Sequence, residues 1–210
     1  MARAKICGIT GREDLEAAVD AGAAAIGLVA DVSVDTPREV EPAVAEELAA
    51  LTPPFVTATL VTMPETPAAA VTLADLVGAD AVQLHGLQPS DCAIVAESFG
   101  GRVLAAVDPE RDDLAAYDGA VDALLVDSLD EAGAGGTGET ADWERTREAV
   151  AALRTPVVLA GGLTPENVTE AIRTVEPYAV DVASGVEREG GVKDHDAVGA
   201  FVERAWRADR

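Results

Sequence analysis

The chain has 210 residues, 49% of them hydrophobic, and a formal net charge of −23 from thirty-eight acids and fifteen bases. Such a surface repels nucleic acid and anionic membranes, because both are bound through clusters of lysine and arginine. No signal peptide is recognisable, no apolar run approaches the roughly 18 residues of a membrane helix, and the two cysteines form no disulfide framework. We therefore expect a protein of a reducing cytoplasm, without nucleic acid or membrane as partner.

The acids are spread along the whole chain, and only two of the bases, Lys5 and Lys193, are lysines. Dispersed acids with almost no lysine are typical of proteins from salt-loving organisms. Because 1 M salt shortens the Debye length to about 3 Å, it would screen the self-repulsion of this surface. The composition therefore predicts a halophilic protein.

Apolar runs rich in β-branched residues recur about every 25 residues along the chain and predict eight strands. Runs this continuous are typical of parallel strands that are buried on both faces. In chain order, the predicted strands are 4–9, 24–29, 55–61, 81–85, 102–107, 123–127, 156–161 and 179–184.

Segments of helical length separate most of these strands. Prolines after Thr36, Gln88 and Thr164 predict helix starts at those points, and Asp142 and Asp194 are candidate N-caps. The connection around 110–117 has room for only a turn or two. The predicted helices are 13–21, 38–51, 67–77, 89–98, 142–153, 165–174 and 194–207.

Strict strand–helix alternation predicts an α/β fold with a parallel sheet and right-handed crossovers. The sheet could close as a barrel or stay open as a doubly wound sheet. Eight units favour the barrel, although the chain is shorter than the usual length of about 250 residues. We predict a single-domain (β/α)8 TIM barrel over residues 1–210, with a short fifth helical connection.

The residues that are hardest to explain by packing lie at the ends of five predicted strands. In a barrel these ends form the face that carries the active site. Each residue alone has an ordinary structural explanation, such as a buried thiol or a capped turn. In chain order they are Cys7, His85, Asp127, Gly161-Gly162 and Ser184-Gly185.

The glycines after the seventh and eighth strands predict a phosphate site. Glycine lets a phosphate approach the backbone, and the start of the following helix offers free N–H groups. The corresponding loops of (β/α)8 barrels often bind phosphate. Ordinary tight turns are the alternative, but the pattern favours a phosphorylated small molecule as ligand.

The chemistry is narrowed by what the sequence lacks. A Schiff-base enzyme needs a lysine on an inner strand, whereas Lys193 follows the last strand and the orientation of Lys5 is open. A metal enzyme needs several histidines and carboxylates together, and the chain has only two histidines. Cys7 and Asp127 remain, a pair that suits proton transfer without a metal or cofactor.

Seven blocks in order resemble one family, the phosphoribosylanthranilate isomerases of tryptophan biosynthesis. They are KICGIT (5–10), TPR (36–38), VQLHG (82–86), LLVD (124–127), GGTGET-ADW (135–143), AGGLTPENV (160–168) and DVASGVE (181–187), followed by KDHD (193–196). The resemblance runs nearly from end to end. It implies an isomerase that converts N-(5-phosphoribosyl)anthranilate to a carboxyphenylamino-deoxyribulose phosphate.

The resemblance also implies roles for individual residues. Cys7 matches the general base, Asp127 the general acid, and Arg38 the arginine that holds the anthranilate carboxylate. The remaining matches are Gly161, Gly162, Ser184 and Gly185 for the phosphate, and His85 and Asp181 as residues that line the site.

The implied mechanism is an Amadori rearrangement. Asp127 would protonate the ribose ring oxygen, and Cys7 would remove a proton from C2′ of the ring-opened Schiff base. We expect a lowered pKa for Cys7, with Lys5 as a possible source of positive charge, because only the thiolate is a base. We expect a raised pKa for Asp127, through desolvation, because it must be protonated when the substrate binds.

Two other functions stay open on the sequence alone. One is another phosphosugar isomerase or synthase on the same barrel, such as the enzyme that forms indoleglycerol phosphate, although that reaction needs catalytic lysines. The other is a non-catalytic binder of phosphoribosyl ligands, although a pure binder needs no acid–base pair.

The glycine-rich stretch GAGGTGET, residues 133–140, matches two nucleotide-binding patterns. It begins too far after its strand for a tight dinucleotide turn, and Glu139 replaces the lysine of a P-loop. We therefore expect a flexible lid over the sugar rather than a nucleotide site.

The acidic composition predicts that stability depends on salt. We expect the midpoint of thermal unfolding to rise with KCl concentration, because salt screens repulsion among the surface carboxylates. Circular dichroism across a KCl series measures the midpoint. Full stability in dilute buffer would contradict the prediction.

Overall fold

The computed structural model describes residues 2–127 and 143–208, and eight parallel strands in these ranges close into a barrel. The strands follow one another around the barrel in chain order, and β1 pairs with β8 to close it. The barrel is therefore the correct alternative to the open doubly wound sheet. The expected lid at 133–140 and the candidate cap Asp142 lie outside the described residues.

All eight predicted strands are present. The first ends at Cys7 itself, and the fourth, sixth, seventh and eighth end just before the other residues that were hardest to explain by packing. The chain turns away from the sheet at these points, so His85 and Asp127 follow their strands directly. The strands are β1 Arg3–Cys7, β2 Ala25–Val29, β3 Thr57–Thr62, β4 Ala81–Leu84, β5 Arg102–Val107, β6 Ala123–Val126, β7 Val157–Leu159 and β8 Ala179–Val182.

Seven helices surround the barrel in the described ranges, and the fifth connection contains a single 3-10 turn, Leu114–Tyr117, as its length predicts. The helices are α1 Arg12–Asp20, α2 Pro42–Leu51, α3 Pro67–Val77, α4 Pro89–Ser98, α5 Trp143–Val150, α6 Val168–Val175 and α7 His195–Arg207.

Two predicted helix starts are wrong. The segment after Thr36 does not begin α2, because Glu39 forms a β-bridge with Val29 and keeps this segment against the sheet until Pro42. The segment after Thr164 does not begin α6, because the side chain of Asn167 accepts a hydrogen bond from the Thr164 N–H at 2.8 Å and holds a turn there. The start at Pro89 is correct.

Residues on both faces of the strands are buried. One face packs against the helices and forms the larger apolar cluster, with residues such as Ile26, Leu60 and Val180. The opposite face fills the barrel with a smaller cluster that includes Leu125 and Val158. Five polar residues of the barrel strands are also buried: Lys5, Thr59, Thr62, Gln83 and Asp181.

A hairpin that the sequence did not predict follows β8. After a 3-10 turn at Ser184–Val186, strands β9 Glu187–Glu189 and β10 Val192–Lys193 pair antiparallel. Gly191, at a φ of +77°, lies so close to the loop after β2 that an added Cβ would be 2.3 Å from the Pro37 carbonyl oxygen. The hairpin therefore packs directly on the segment that contains Arg38.

Across residues 2–127 and 143–208, the helices are all too short or too polar to cross a membrane.

The predicted N-cap Asp194 provides a test of the last helix. Its carboxylate accepts hydrogen bonds from the N–H groups of Asp196 and Ala197 at 3.0 and 3.1 Å. We expect Asp194→Ala to lower the free energy of unfolding by about 1 kcal/mol, because two N–H groups lose their acceptor. Asp194→Asn keeps an acceptor and should lose much less in the same urea titration; equal losses would show that capping is not the cause.

Candidate functional site

A cavity of about 290 Å³ opens at the carboxyl ends of the strands. All nine residues predicted for a site line this cavity, and they come from six of the eight barrel strands or the loops after them. They are Cys7, Arg38, His85, Asp127, Gly161, Gly162, Asp181, Ser184 and Gly185.

Cys7 is buried at the end of β1, where the neighbouring strand leaves space for its thiol. Its register partner on β2 is Gly27, and a Cβ on that glycine would be 2.7 Å from the Cys7 sulfur. Any larger residue at position 27 would displace the thiol. Gly27 therefore makes the space in which the thiol lies, although no sequence pattern marked this glycine.

Lys5 and Asp181 form a buried ion pair inside the barrel, below Cys7. They are register partners on β1 and β8, and the Lys5 Nζ is 2.6 Å from the Asp181 Oδ1. Burial acts to lower the pKa of Lys5, but Asp181 and then Cys7 outweigh it and raise this pKa to about 12. Lys5 is therefore a permanent cation that faces the thiol.

The expected lowering of the Cys7 pKa is wrong. Burial is the largest effect and raises the pKa, because a thiolate loses its hydration inside the protein. Lys5 lowers this pKa, as expected of a neighbouring cation, while Asp181 raises it. The thiol is therefore protonated at neutral pH.

Asp127 is the first residue after β6, and its side chain is buried at the wall of the cavity. Its own N–H donates to the Val107 carbonyl at 3.1 Å, which continues the ladder between β5 and β6 and fixes the residue at the strand end. A carboxyl group in such a position can exchange a proton with a ligand in the cavity. Its expected raised pKa stays a prediction.

Arg38 extends across Gly8 towards the cavity and forms a forked ion pair with Glu187. Its Nε and Nη2 atoms are 2.9 and 2.8 Å from the two carboxylate oxygens of Glu187. Gly8 has a φ of +73°, and a Cβ there would be 2.7 Å from the Arg38 Cδ. Glycine at position 8 therefore makes room for the arginine beside the thiol.

The glycines after β7 and β8 form two turns in direct contact. Gly161 and Gly162 have φ values of +87° and +60°, which other residues rarely adopt. A Cβ on Gly185 would be 1.9 Å from the Leu163 carbonyl oxygen, so the two turns fit only without that side chain. Asn167 donates to the Gly162 carbonyl at 2.9 Å and braces the first turn. Such close backbone can hold a phosphate.

His85 lies beside Gln83 at the end of β4, with the Gln83 Nε2 and the His85 Nε2 2.9 Å apart. Both side chains line the cavity. In the described part of the chain, no three His, Cys, Asp or Glu side chains are grouped so that they could hold a metal ion.

Three residues beside the site were missed or dismissed: Gly27, Glu187 and Lys193. Lys193 follows the last barrel strand, as the sequence indicated, yet its side chain is fully buried, with the Nζ 2.5 Å from the Cys7 carbonyl oxygen and 2.7 Å from the Glu187 Oε1. The composition contained a signal for Lys193, because the only two lysines of a strongly acidic chain are candidates for specific structural roles.

Comparison with known proteins gives consistent matches along the whole chain. The family model described as N-(5'phosphoribosyl)anthranilate (PRA) isomerase matches residues 4–204. A relative from Natronomonas pharaonis, named N-(5'-phosphoribosyl)anthranilate isomerase, is 58% identical over 206 residues, which is 98% of this chain and 98% of the relative.

Two solved structures of the same kind are similar to this fold. The phosphoribosyl anthranilate isomerase from Thermotoga maritima has a TM-score of 0.86 at 38% identity, over 98% of this chain and 99% of that chain. A phosphoribosyl anthranilate isomerase in complex with reduced 1-(o-carboxyphenylamino)-1-deoxyribulose 5-phosphate has a TM-score of 0.78 at 35% identity, over the same shares of the two chains.

The environment of Cys7 predicts how its thiol reacts with pH. In a Cys92→Ala background, the rate of iodoacetamide alkylation should rise only above the ordinary cysteine pKa of about 8.5, because burial opposes the thiolate. Lys5→Met should move the midpoint higher, since it removes the cation that favours the thiolate. Arg12→Met removes an exposed charge and should leave the midpoint unchanged; a lower midpoint in Lys5→Met would contradict this electrostatic account.

Proposed function

The chain belongs to the N-(5'-phosphoribosyl)anthranilate isomerase family, and we propose that it converts N-(5'-phosphoribosyl)anthranilate to 1-(2-carboxyphenylamino)-1-deoxyribulose 5-phosphate in tryptophan biosynthesis. The observation that supports this most directly is one cavity lined by a thiol, a carboxyl group, an arginine and two glycine turns. The related enzyme with reduced carboxyphenylamino-deoxyribulose phosphate bound supports the same class of ligand.

The substrate has an anion at each end, and the cavity offers a place for both. In the proposed binding mode, the phosphate lies at the turns formed by Gly161-Gly162 and Ser184-Gly185. The anthranilate carboxylate pairs with Arg38. Two anchored ends leave the ribose between Cys7 and Asp127, which lowers the entropic cost of reaching the reactive geometry.

The proposed reaction needs one acid and one base. Asp127 gives its proton to the ribose ring oxygen, the C1′–O bond breaks, and the nitrogen lone pair forms a protonated Schiff base. The Cys7 thiolate then removes the C2′ proton, and the electron pair of that C–H bond moves to give an enolamine. Tautomerisation of the enolamine to the ketone completes the isomerisation without a metal or cofactor.

The raised pKa of Cys7 has a kinetic consequence. Because the thiol form predominates at neutral pH, only a minor fraction of the enzyme holds the base in its active form. That fraction grows with pH until the thiol is ionised. Activity through Cys7 should therefore increase on the alkaline side of neutrality until another group titrates or the fold fails.

The alternatives fit the site less well. A synthase that relies on catalytic lysines would need a free ammonium in the cavity, whereas Lys5 is paired with Asp181 and Lys193 with Glu187. A non-catalytic binder would have no use for a buried thiol and a buried carboxyl group on the wall of the same cavity. Both arguments favour the isomerase.

Composition supports a proposal for the cellular location and the salt adaptation of the enzyme. We propose a cytoplasmic, salt-adapted enzyme that binds a phosphorylated small molecule. The net charge of −23 supports the salt adaptation. The two cysteines are free thiols in the structure, which suits a reducing compartment.

Turnover tests the assignment of acid and base. In concentrated KCl, loss of phosphoribosylanthranilate fluorescence should be catalysed by the wild type, with kcat/KM rising as pH increases above neutrality. Cys7→Ala and Asp127→Asn should each lower kcat by at least about 100-fold, because each removes a proton-transfer group.

Binding separates loss of chemistry from loss of the site. Both variants should still bind reduced carboxyphenylamino-deoxyribulose phosphate, measured by calorimetry. Cys92→Ala, a buried cysteine away from the cavity, should keep full activity. Absence of turnover by the wild type in high salt would overturn the proposed function, and full activity of Cys7→Ala would overturn the assigned base.

A further inference from the structure

A single buried carboxylate, Glu187, connects Arg38 to Lys193 at the rim of the cavity. Its Oε1 is 2.9 Å from the Arg38 Nε and 2.7 Å from the Lys193 Nζ, and its Oε2 is 2.8 Å from the Arg38 Nη2. The Glu187 side chain is 5% exposed and that of Lys193 is fully buried. Burial acts to raise the Glu187 pKa, but its two cationic partners outweigh burial and lower it, so the carboxylate is ionised.

The ion pair uses only one edge of the guanidinium group. Glu187 occupies the edge formed by Nε and Nη2. A guanidinium group has a second edge, Nη1 with Nη2, that can also bind a carboxylate through two hydrogen bonds. Within residues 2–127 and 143–208, Arg38 has no protein partner at Nη1.

Three contacts fix the direction in which this second edge points. The Arg38 stem lies directly across Gly8, and Pro37 packs against the hairpin glycines Gly190 and Gly191. The forked bond to Glu187 then sets the rotation of the guanidinium plane. With the stem and one edge held, the remaining edge is oriented before any ligand arrives.

Lys193 makes this arrangement possible and connects it to Cys7. Its ammonium balances the Glu187 charge and also donates to the carbonyl oxygens of Cys7 and Ala183, at 2.5 and 3.2 Å. A buried carboxylate with a partly exposed arginine as its only partner would be costly to keep ionised. The buried lysine is a second cationic partner, and with both partners Glu187 keeps its charge. The same ion pair therefore holds both Arg38 and the backbone of the thiol residue.

We propose that Glu187 is a positioning residue that orients the free edge of Arg38 towards the carboxylate of the substrate. The inference deepens the proposed function and depends on it, because it assumes that Arg38 binds the anthranilate carboxylate. Glu187 itself makes no contact with the substrate. Its contribution is to substrate affinity, since a pre-oriented arginine loses less freedom on binding.

A different role for Glu187 would have the opposite effect. If its negative charge mainly repelled the substrate carboxylate or competed with it for Arg38, removal of that charge would strengthen binding. Positioning requires that removal weakens binding. The direction of the change in affinity therefore separates the two roles.

Glu187→Gln is the direct test, because glutamine keeps the size but cannot form the charged fork. We expect KM to rise about tenfold and kcat to change less than about threefold, with the dissociation constant of reduced carboxyphenylamino-deoxyribulose phosphate rising as KM does. Glu189→Gln removes the same charge from an exposed position on the same hairpin and should leave KM unchanged.

A double-mutant cycle with Arg38→Ala shows whether the effect acts through the arginine. In the Arg38→Ala background, Glu187→Gln should raise KM no further, because there is no guanidinium left to orient. A purely structural loss would instead add to the loss from Arg38→Ala. Unchanged or tighter substrate binding in Glu187→Gln, or additive effects in the cycle, would overturn the proposal.

Folding is controlled with a second variant. If Glu187→Gln leaves Lys193 as an unpaired buried charge and does not fold, the double variant Glu187→Gln/Lys193→Met removes both charges and should show the same rise in KM. Failure of the proposed function is distinguishable, because the wild type would then show no turnover. Failure of the Arg38 assignment would appear as an unchanged KM in Arg38→Ala.

Discussion

The seam where β1 pairs with β8 closes the barrel, and two buried ammonium groups hold it. Lys5 and Asp181 face each other as register partners within the seam. The last pair in register is Ile6 with Val182, and one residue further along each chain the Lys193 ammonium joins the Cys7 and Ala183 carbonyl oxygens. A buried charge is tolerated only when it is paired and hydrogen-bonded, and both lysines meet this condition. The position of Cys7 depends on this seam.

The distribution of charge explains how an acidic protein can bind an anionic substrate. Acids dominate the composition, yet the cavity is lined by Arg38 and lies beside both lysines of the chain. Lys5 is paired with Asp181, whereas Arg38 and Lys193 share Glu187, so these five groups carry one net positive charge. Salt screens charges at the surface much more than charges in the interior. In concentrated salt the repulsion at the surface is therefore reduced, while the paired groups around the cavity keep their interactions.

The strands and most of the site could be predicted from the sequence, because local patterns determine both. Continuous apolar runs mark strands buried on two faces, and the residue that directly follows such a run lies at the barrel rim. Other features depend on contacts between distant segments. The start of α2 at Pro42 depends on the bridge between Glu39 and Val29, and no local signal after Thr36 reveals it. The same is true of Glu187, whose partners are 149 residues away in Arg38 and six away in Lys193.

The pKa of Cys7 shows why the chemistry of a site is harder to predict than its residues. Lys5 is two residues before the thiol and was expected as a possible source of positive charge, and the cation does favour the thiolate. Its effect is limited because Asp181, which holds Lys5 in place, acts on the thiol in the opposite direction, and burial acts in that direction more strongly than either. A thiolate with a raised pKa is scarcer but a stronger base, and proton abstraction from carbon benefits from that strength. In the proposed reaction, Lys5 and Asp181 act on the thiol in opposite directions, so the pair balances the fraction of thiolate against its strength as a base.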